Sequence, residues 1–300
     1  MNTKIKVLLT GFFALIFLSC ETRSDLEKKI SKINIDFKLE RFDRLLAKAT
    51  TENFSTLKVD YPFMFPEQIH DSVWINQIND SLQLELFKEV NTKFKNTDDL
   101  EIEIENLFKH LKYYDKSFTP PRTIGVTSYV DYRNKVIVTD TIVLIALDTY
   151  LGSDHHFYVD IYKYIAQNLK PEMIISDLAA AYAEKSIPQI SRRTLLDEMI
   201  YHGKVLYFKD VMLPGKTDED KIGYATEQLN WAKDNESQMW SYFVDRSLLF
   251  DTDSKLVPRF ISPAPFTKFN LELDSESPGR LGQYIGWQIV RAYVENNNTK

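Results

Sequence analysis

One cysteine, five histidines and nine glycines are few for 300 residues, and each shortage removes a class of reading. A lone thiol cannot form an internal disulfide, so the fold must be held by its core. The helical zinc-peptidase signature His-Glu-x-x-His occurs nowhere. Glycine is too sparse for phosphate chemistry: no strand is followed by Gly-x-Gly-x-x-Gly, and no P-loop is present. Gly-x-Ser-x-Gly is absent too, so Ser275 and Ser277 before Pro278-Gly279 read as a turn and not as a nucleophile elbow. Cationic charge is the minority sign, 37 Lys and Arg against 43 Asp and Glu. No basic surface points to nucleic acid. The eleven prolines are scattered, with no low-complexity run and no repeat at solenoid spacing.

What the chain does have is 44% hydrophobic content, enough for a substantial core. Its ends differ in character. MNTKIK carries two lysines, VLLTGFFALIFL is a short apolar run, and Ser19-Cys20 closes it. The run is shorter than the ~20 residues a membrane-crossing helix needs, and its charged-then-apolar layout is that of an export signal. With the only cysteine at its end, the segment resembles a bacterial lipoprotein signal. That resemblance implies removal of residues 1–19 and a diacylglyceryl group with palmitate-type acyl chains on Cys20, anchoring the chain to a membrane. Without Lys4 and Lys6, 35 basic residues face 43 acidic ones, for a charge of -8. Such a charge offers no second, electrostatic hold on anionic lipid. Residues 20–32 are charged, without an apolar face, and read as a tether. Residues 33–300 read as one domain.

Within that domain, alternation over 33–40 predicts a strand and RFDRLLAKAT a helix. Prolines 62 and 66 mark a loop. Residues 71–112 predict two helices that break near 96–99. After Pro120-Pro121, TIGVTSYV, KVIVTD and TIVLIALD are rich in Val and Ile and predict a sheet of about three strands. Helices are expected over 157–169, 171–184, 191–208 and 226–245, with Pro171 at a first helical position and Ser191 as an N-cap. SPGRLGQYIGWQIVRAYVEN closes the chain as a helix. The class is α+β, mostly helical, with a small sheet in the middle of the chain. Glu101, Glu103 and Glu105 read as a solvated helix face. Trp231 and Trp240, nine apart on one expected helix, would face opposite ways.

A metal site has to be sought among near-misses. In DEMIYHGKVLYF, Asp197 and Tyr201 stand where a zinc helix needs histidines, and His202 is one place late, about 100° around the helix. A second register fits better. TLLDEMIYHGKVLYF resembles the third-ligand helix of a zinc peptidase of the gluzincin kind, with His202-Gly203 in place of Glu-Gly. Leu195, Met199, His202 and Leu206 then share one face. The preceding IISDLAAAYA would be the zinc helix, with Asp177, Leu178 and Ala181 at the positions of first ligand, general base and second ligand. Leucine cannot activate water and alanine cannot bind a metal. The resemblance therefore implies a degenerate peptidase-like architecture, with no catalytic residue, no cofactor and no metal expected. Asp177 and His202 read first as a helix–helix hydrogen bond and second as a two-ligand remnant. Asp154-His155-His156 is a further cluster, read as a turn with a capping or buried histidine.

Several segments together carry a wider resemblance: Cys20, FKLERFDRLL, LDTYLG followed by HHFY, MIYHGKVLYF, IGYATEQLNWAKDNESQMW, APFT, and SPGRLGQYIGWQIVRAYVENN. They resemble the gliding-motility lipoprotein GldB family of Bacteroidetes over essentially the whole mature chain. The resemblance implies a cell-envelope lipoprotein required for gliding, facing the periplasm and working beside other gliding-machinery and secretion-system proteins. It implies no catalytic activity, so a non-catalytic binding or assembly component is the first expectation and a metal-dependent hydrolase of an envelope substrate the alternative.

Overall fold

Val- and Ile-rich runs form strands where the sequence places them. In the computed structural model, which describes residues 25–297 apart from 189, 272 and 273, these are β2 (Arg122–Val126), β3 (Val136–Val138) and β4 (Ile142–Ala146). A fourth strand, β1 (Leu39–Arg41), joins them. The order is β1-β2-β4-β3, with β1, β2 and β4 parallel and β3 antiparallel at the edge. The expected strand over 33–40 shrinks to this short piece because Ile33 and Phe37 are used for packing: they cover the core cluster around Phe108 without pairing to a neighbour strand.

Both faces of the sheet are covered. Alternate residues of a strand point to opposite faces. Val143 and Ile145 enter one cluster, with Ile104, Leu107 and Phe108 of α2 (Asp98–Tyr114) and Ile174, Leu178 and Tyr182 of α3 (Ile174–Ser186). Ile124, Val126 and Ala146 enter the other, with the aromatic group Phe42, Phe54, Tyr61 and Phe65. Phe87 of α1 (Ser81–Lys93) completes that second cluster. A third cluster fills the C-terminal half between α4 (Leu195–Met212), α5 (Thr226–Asp234), α6 (Glu236–Asp245) and α7 (Leu281–Asn297). The α+β class follows as expected.

Several expected helices are shorter or differently bounded. Residues 71–112 hold three, Asp71–Ile78, α1 and α2, because Asp80 interrupts the run by capping α1: its carboxylate accepts from the N–H groups of Leu82 and Gln83. The run 226–245 breaks at Asn235, so Trp231 and Trp240 lie on separate helices. Trp240 is 43% exposed, while Trp231 packs against the core. Helix α4 starts after Thr194 and not after Ser191. Thr194 Oγ1 accepts from Asp197 N–H, and the Asp197 carboxylate accepts from Thr194 N–H, a reciprocal capping box. Over 157–169 only Lys163–Ala166 is α-helical. Pro171 opens a single 3-10 turn that runs into α3. Residues 25–30, inside the stretch read as a tether, are helical, with Ile30 buried and Glu27 3.3 Å from His110.

Helices α4 and α7 cross with their backbones in contact. A Cβ on Gly286 would lie 1.8 Å from the Met199 carbonyl oxygen, and one on Gly203 would lie 2.3 Å from the Gly286 carbonyl oxygen. The face Leu195–Met199–Leu206 is buried against Leu281, Tyr284 and Trp287 of α7. Beside the crossing, Asp210 accepts from Trp287 Nε1 at 2.8 Å and from both sides of the Arg291 guanidinium at 2.7 Å. Arg291 is also paired with Asp218, and its guanidinium lies 3.7 Å from the Trp287 ring centre.

Candidate functional site

A cleft of about 410 Å3 opens where the sheet-bearing half meets the C-terminal helices. Asp177 of α3 is its one acidic wall residue among those described, and Lys135, Arg133 and Arg280 also line it. The first two arrive on the loop between β2 and β3. Arg280 stands immediately before α7. Tyr132, Tyr164 and Tyr224 add phenol rings, and Gln167 and Gln228 add side-chain amides.

The loop that carries Tyr132, Arg133 and Lys135 is held from below by Asp148. This carboxylate is fully buried. It accepts from the N–H groups of Ser128 and Val130, at 2.9 and 2.8 Å, and from the Ser128 hydroxyl. Burial pushes its carboxyl above the usual range, and those donors oppose the shift. The grip is needed because Tyr129 and Val130 both adopt left-handed backbone (φ 56° and 59°), a conformation that a β-branched residue avoids. Asp148→Ala is expected to cost about 2 kcal/mol by leaving buried donors unpaired. Urea denaturation would measure that loss, and limited proteolysis should then cut within 127–135.

Asp177 is engaged through one oxygen. Its Oδ2 accepts from Lys135 Nζ and from the Tyr150 hydroxyl at 2.9 Å. Tyr150 is buried, and both burial and the neighbouring carboxylate raise its phenol well above its ordinary value, so it remains a donor. His202 has other company. Its Nε2 is 4.0 Å from Glu198 one turn back on the same helix. Burial lowers its pKa; Glu198 opposes this, and Arg192 and Arg280 add to it. The expected Asp177–His202 hydrogen bond is thus replaced by separate pairings, and the structure does not bring the two together as ligands. Leu178 is completely buried. Among the described residues no group of three or more His, Cys, Asp or Glu is arranged to hold a metal.

His155 and His156 stack at 4.4 Å between ring centres. His155 Nδ1 caps a short 3-10 turn by accepting from Phe157 N–H, and the two rings face Glu89 and Glu85 of α1. Glu103 and Glu105 pair with Lys216 and Lys109 on the solvated face of α2. Cys20 lies outside the described residues, as does all of 1–24. No helix among the described residues is long and apolar enough to cross a membrane.

Sequence reasoning singled out Asp177 but missed Lys135, Asp148, Tyr150 and Arg280. A partial signal was present: Asp148 and Tyr150 fall in LDTYLG and Arg280 in SPGRLGQ, two of the segments that carried the family resemblance. What those segments do physically is hold a loop, hold a carboxylate and aim a guanidinium.

No curated protein and no solved structure matches the chain. A family model described as gliding motility protein GldB matches residues 23–300, nearly the whole sequence. The chain belongs to this GldB family of gliding-motility lipoproteins.

Proposed function

We propose that this GldB-family chain is a non-catalytic binding or assembly component of the gliding machinery, anchored to the cell envelope by lipid on Cys20 and facing the periplasm. Its partners in this reading are the membrane, through the lipid, and other gliding-machinery or secretion-system proteins. The observation that carries the non-catalytic part is the state of Asp177. A metal ligand or general base needs a carboxylate open to the reacting centre. This one gives its Oδ2 to a lysine and a buried phenol, and it stands next to Leu178 and one turn from Ala181. The layout still supports a gluzincin-like ancestry for the proposal: α3 packs both on the edge strand β3 and on α4. The alternative, a metal-dependent hydrolase, makes a different prediction for bound metal.

Both halves of the proposal have a direct test on the full-length protein. Cys20→Ala is expected to move the chain from the membrane fraction to the soluble fraction, because a stable hold takes more than one acyl chain. Retention in detergent-free membranes would defeat the lipid anchor. Elemental analysis of the purified wild-type chain is expected to find no stoichiometric zinc. One zinc per chain, lost in Asp177→Asn or His202→Ala, would replace the binding component with the hydrolase.

A further inference from the structure

Arg280 is placed where an arginine is locally unfavourable. Its backbone is left-handed (φ 62°), a region that suits glycine, although Gly279 directly precedes it. It is also the residue that opens α7: the N–H groups of Gln283 and Tyr284 donate to its carbonyl. Helix starts favour Ser, Thr, Asp or Asn, and a cation there opposes the helix dipole. The helix end is not itself an open donor set, since Leu281 N–H is already taken by Thr267 Oγ1. So the side chain, and not the helix terminus, is what this position presents.

That side chain lines the cleft without a carboxylate partner among the described residues. Arg280 donates one hydrogen bond, to the Gly223 carbonyl at 3.2 Å, and lies 5.3 Å from the centre of the Tyr224 ring. Arg133, on the β2–β3 loop, also lines the cleft, is exposed and lies 5.8 Å from the Tyr132 ring centre, again without an ion pair among the described residues. Among the described residues the only wall carboxylate, Asp177, is paired with Lys135. Two guanidinium groups with no ion pair among the described residues therefore line one cleft in an acidic protein. The field reaches inward: the charge of Arg280 is among the influences that lower His202 and Lys209.

The rest of the lining decides what kind of anion fits. Ile165, Pro263 and Ala264 are the only aliphatic side chains among the described residues that line it. An aliphatic peptide side chain or a lipid tail wants an apolar anchor pocket. This wall instead offers tyrosine rings and amides. Tyr162 and Tyr164 stack nearly parallel, 5.6 Å apart and 13° from coplanar, and Tyr162 is 71% exposed, so a flat ring pair stands at the rim. Flat rings stack on sugar faces, amides read hydroxyls, and guanidinium groups bind carboxylates bidentately.

We propose that the cleft between the β2–β3 loop and the start of α7 binds an acidic saccharide, a chain of sugars bearing carboxylates, with Arg280 and Arg133 taking the carboxylates and the Tyr132 and Tyr164 walls taking the rings. This deepens the binding-component reading and rests on it. The test is calorimetric titration of the full-length lipidated chain in detergent micelles with trigalacturonate, its methyl ester and hexaglutamate. Trigalacturonate is expected to bind, and added salt should weaken it. The Arg280→Gln variant should bind about tenfold more weakly, the loss of one charge-assisted bidentate contact, and the neutral ester, which loses both, about a hundredfold more weakly. Arg133→Gln, at an exposed site that does not threaten folding, should weaken binding in the same direction. Equal affinity for acid and ester, no binding of trigalacturonate, or no effect of Arg133→Gln overturns the proposal. Tighter binding of hexaglutamate overturns it as well, in favour of an acidic protein segment, and leaves the binding-component reading intact. Failure of that reading would show separately, as bound zinc or as membrane retention of Cys20→Ala.

Discussion

Gly286→Ala is expected to destabilise the protein by about 3–5 kcal/mol, which is exceptional for the addition of one methyl group. In an exposed helix interior the same change gains up to about 1 kcal/mol in propensity. Here the new Cβ would sit 1.8 Å from the Met199 carbonyl oxygen and 2.4 Å from its carbon. These are backbone atoms of α4, so no side chain can rotate away. Relief requires α4 and α7 to move apart by more than an ångström, and the separation would open the packing around Met199, Leu206, Tyr284 and Trp287, all buried in one cluster. It would also stretch the Asp210 bonds to Trp287 and Arg291 beside the crossing. Typical domains have only about 5–15 kcal/mol in hand, and the expected fall in Tm is about 10 °C. Gly215→Ala is the control: nothing lies within 4 Å of its added Cβ, and its Tm should stay close to wild type. A Gly286→Ala protein that melts with the control would mean that the two helices do not meet at these glycines.

This crossing also explains what was legible in the sequence. MIYHGKVLYF and SPGRLGQYIGWQIVRAYVE carry the resemblance to the family, and they are the two helices whose glycines touch. The face Leu195, Met199, His202, Leu206 was readable from helical period alone, and its apolar members are buried. Strands β2, β3 and β4 were readable because Val and Ile crowd them. What could not be read was decided at long range. Nothing between 157 and 169 breaks a helix locally, yet Tyr158 is pinned: its hydroxyl donates to the Asp148 carbonyl and accepts from Leu151 N–H, and the chain bends to allow it. Asp177 could be picked out by its place on a helix, but its partners Lys135 and Tyr150 lie 42 and 27 residues away along the chain. Arg280 read as part of the segment that closes the chain as a helix, and only the fold brings it to the same cleft as Arg133. Sequence patterns report periodicity and breakers, and a cleft assembled from a loop, a helix start and a helix face has neither.

Lys209→Met is expected to stabilise the protein at neutral pH, and the gain should disappear in alkali. Lys209 is buried on α4. Its ammonium donates to Ser176 Oγ at 3.0 Å and to the Lys221 carbonyl at 2.8 Å, with no carboxylate in ion-pair range among the described residues. Burial lowers its pKa to about 8; Asp177 opposes the shift, and Arg280 and Lys135 reinforce it. In the unfolded chain the group has an ordinary lysine value near 10.4. Below pH 8 both states hold the proton, and the folded state carries the full penalty of a buried charge, about 3 kcal/mol for a shift of this size. Between about 8 and 10.4 the folded state sheds the proton while the unfolded state keeps it. The unfolded state then binds more protons, so the wild type gains stability as pH rises. Methionine fills the same channel without a charge, and Ser176 keeps the Asp220 carbonyl as an acceptor at 2.8 Å. The variant should therefore be more stable than wild type by about 1–3 kcal/mol at pH 7, after the loss of two hydrogen bonds is counted. That advantage should shrink steadily from pH 8 to 10.4, and urea denaturation of both proteins across this range measures the difference free of every other titrating group they share. A constant difference would place the ammonium in contact with water, and a variant less stable than wild type at every pH would mean that the two hydrogen bonds outweigh the buried charge.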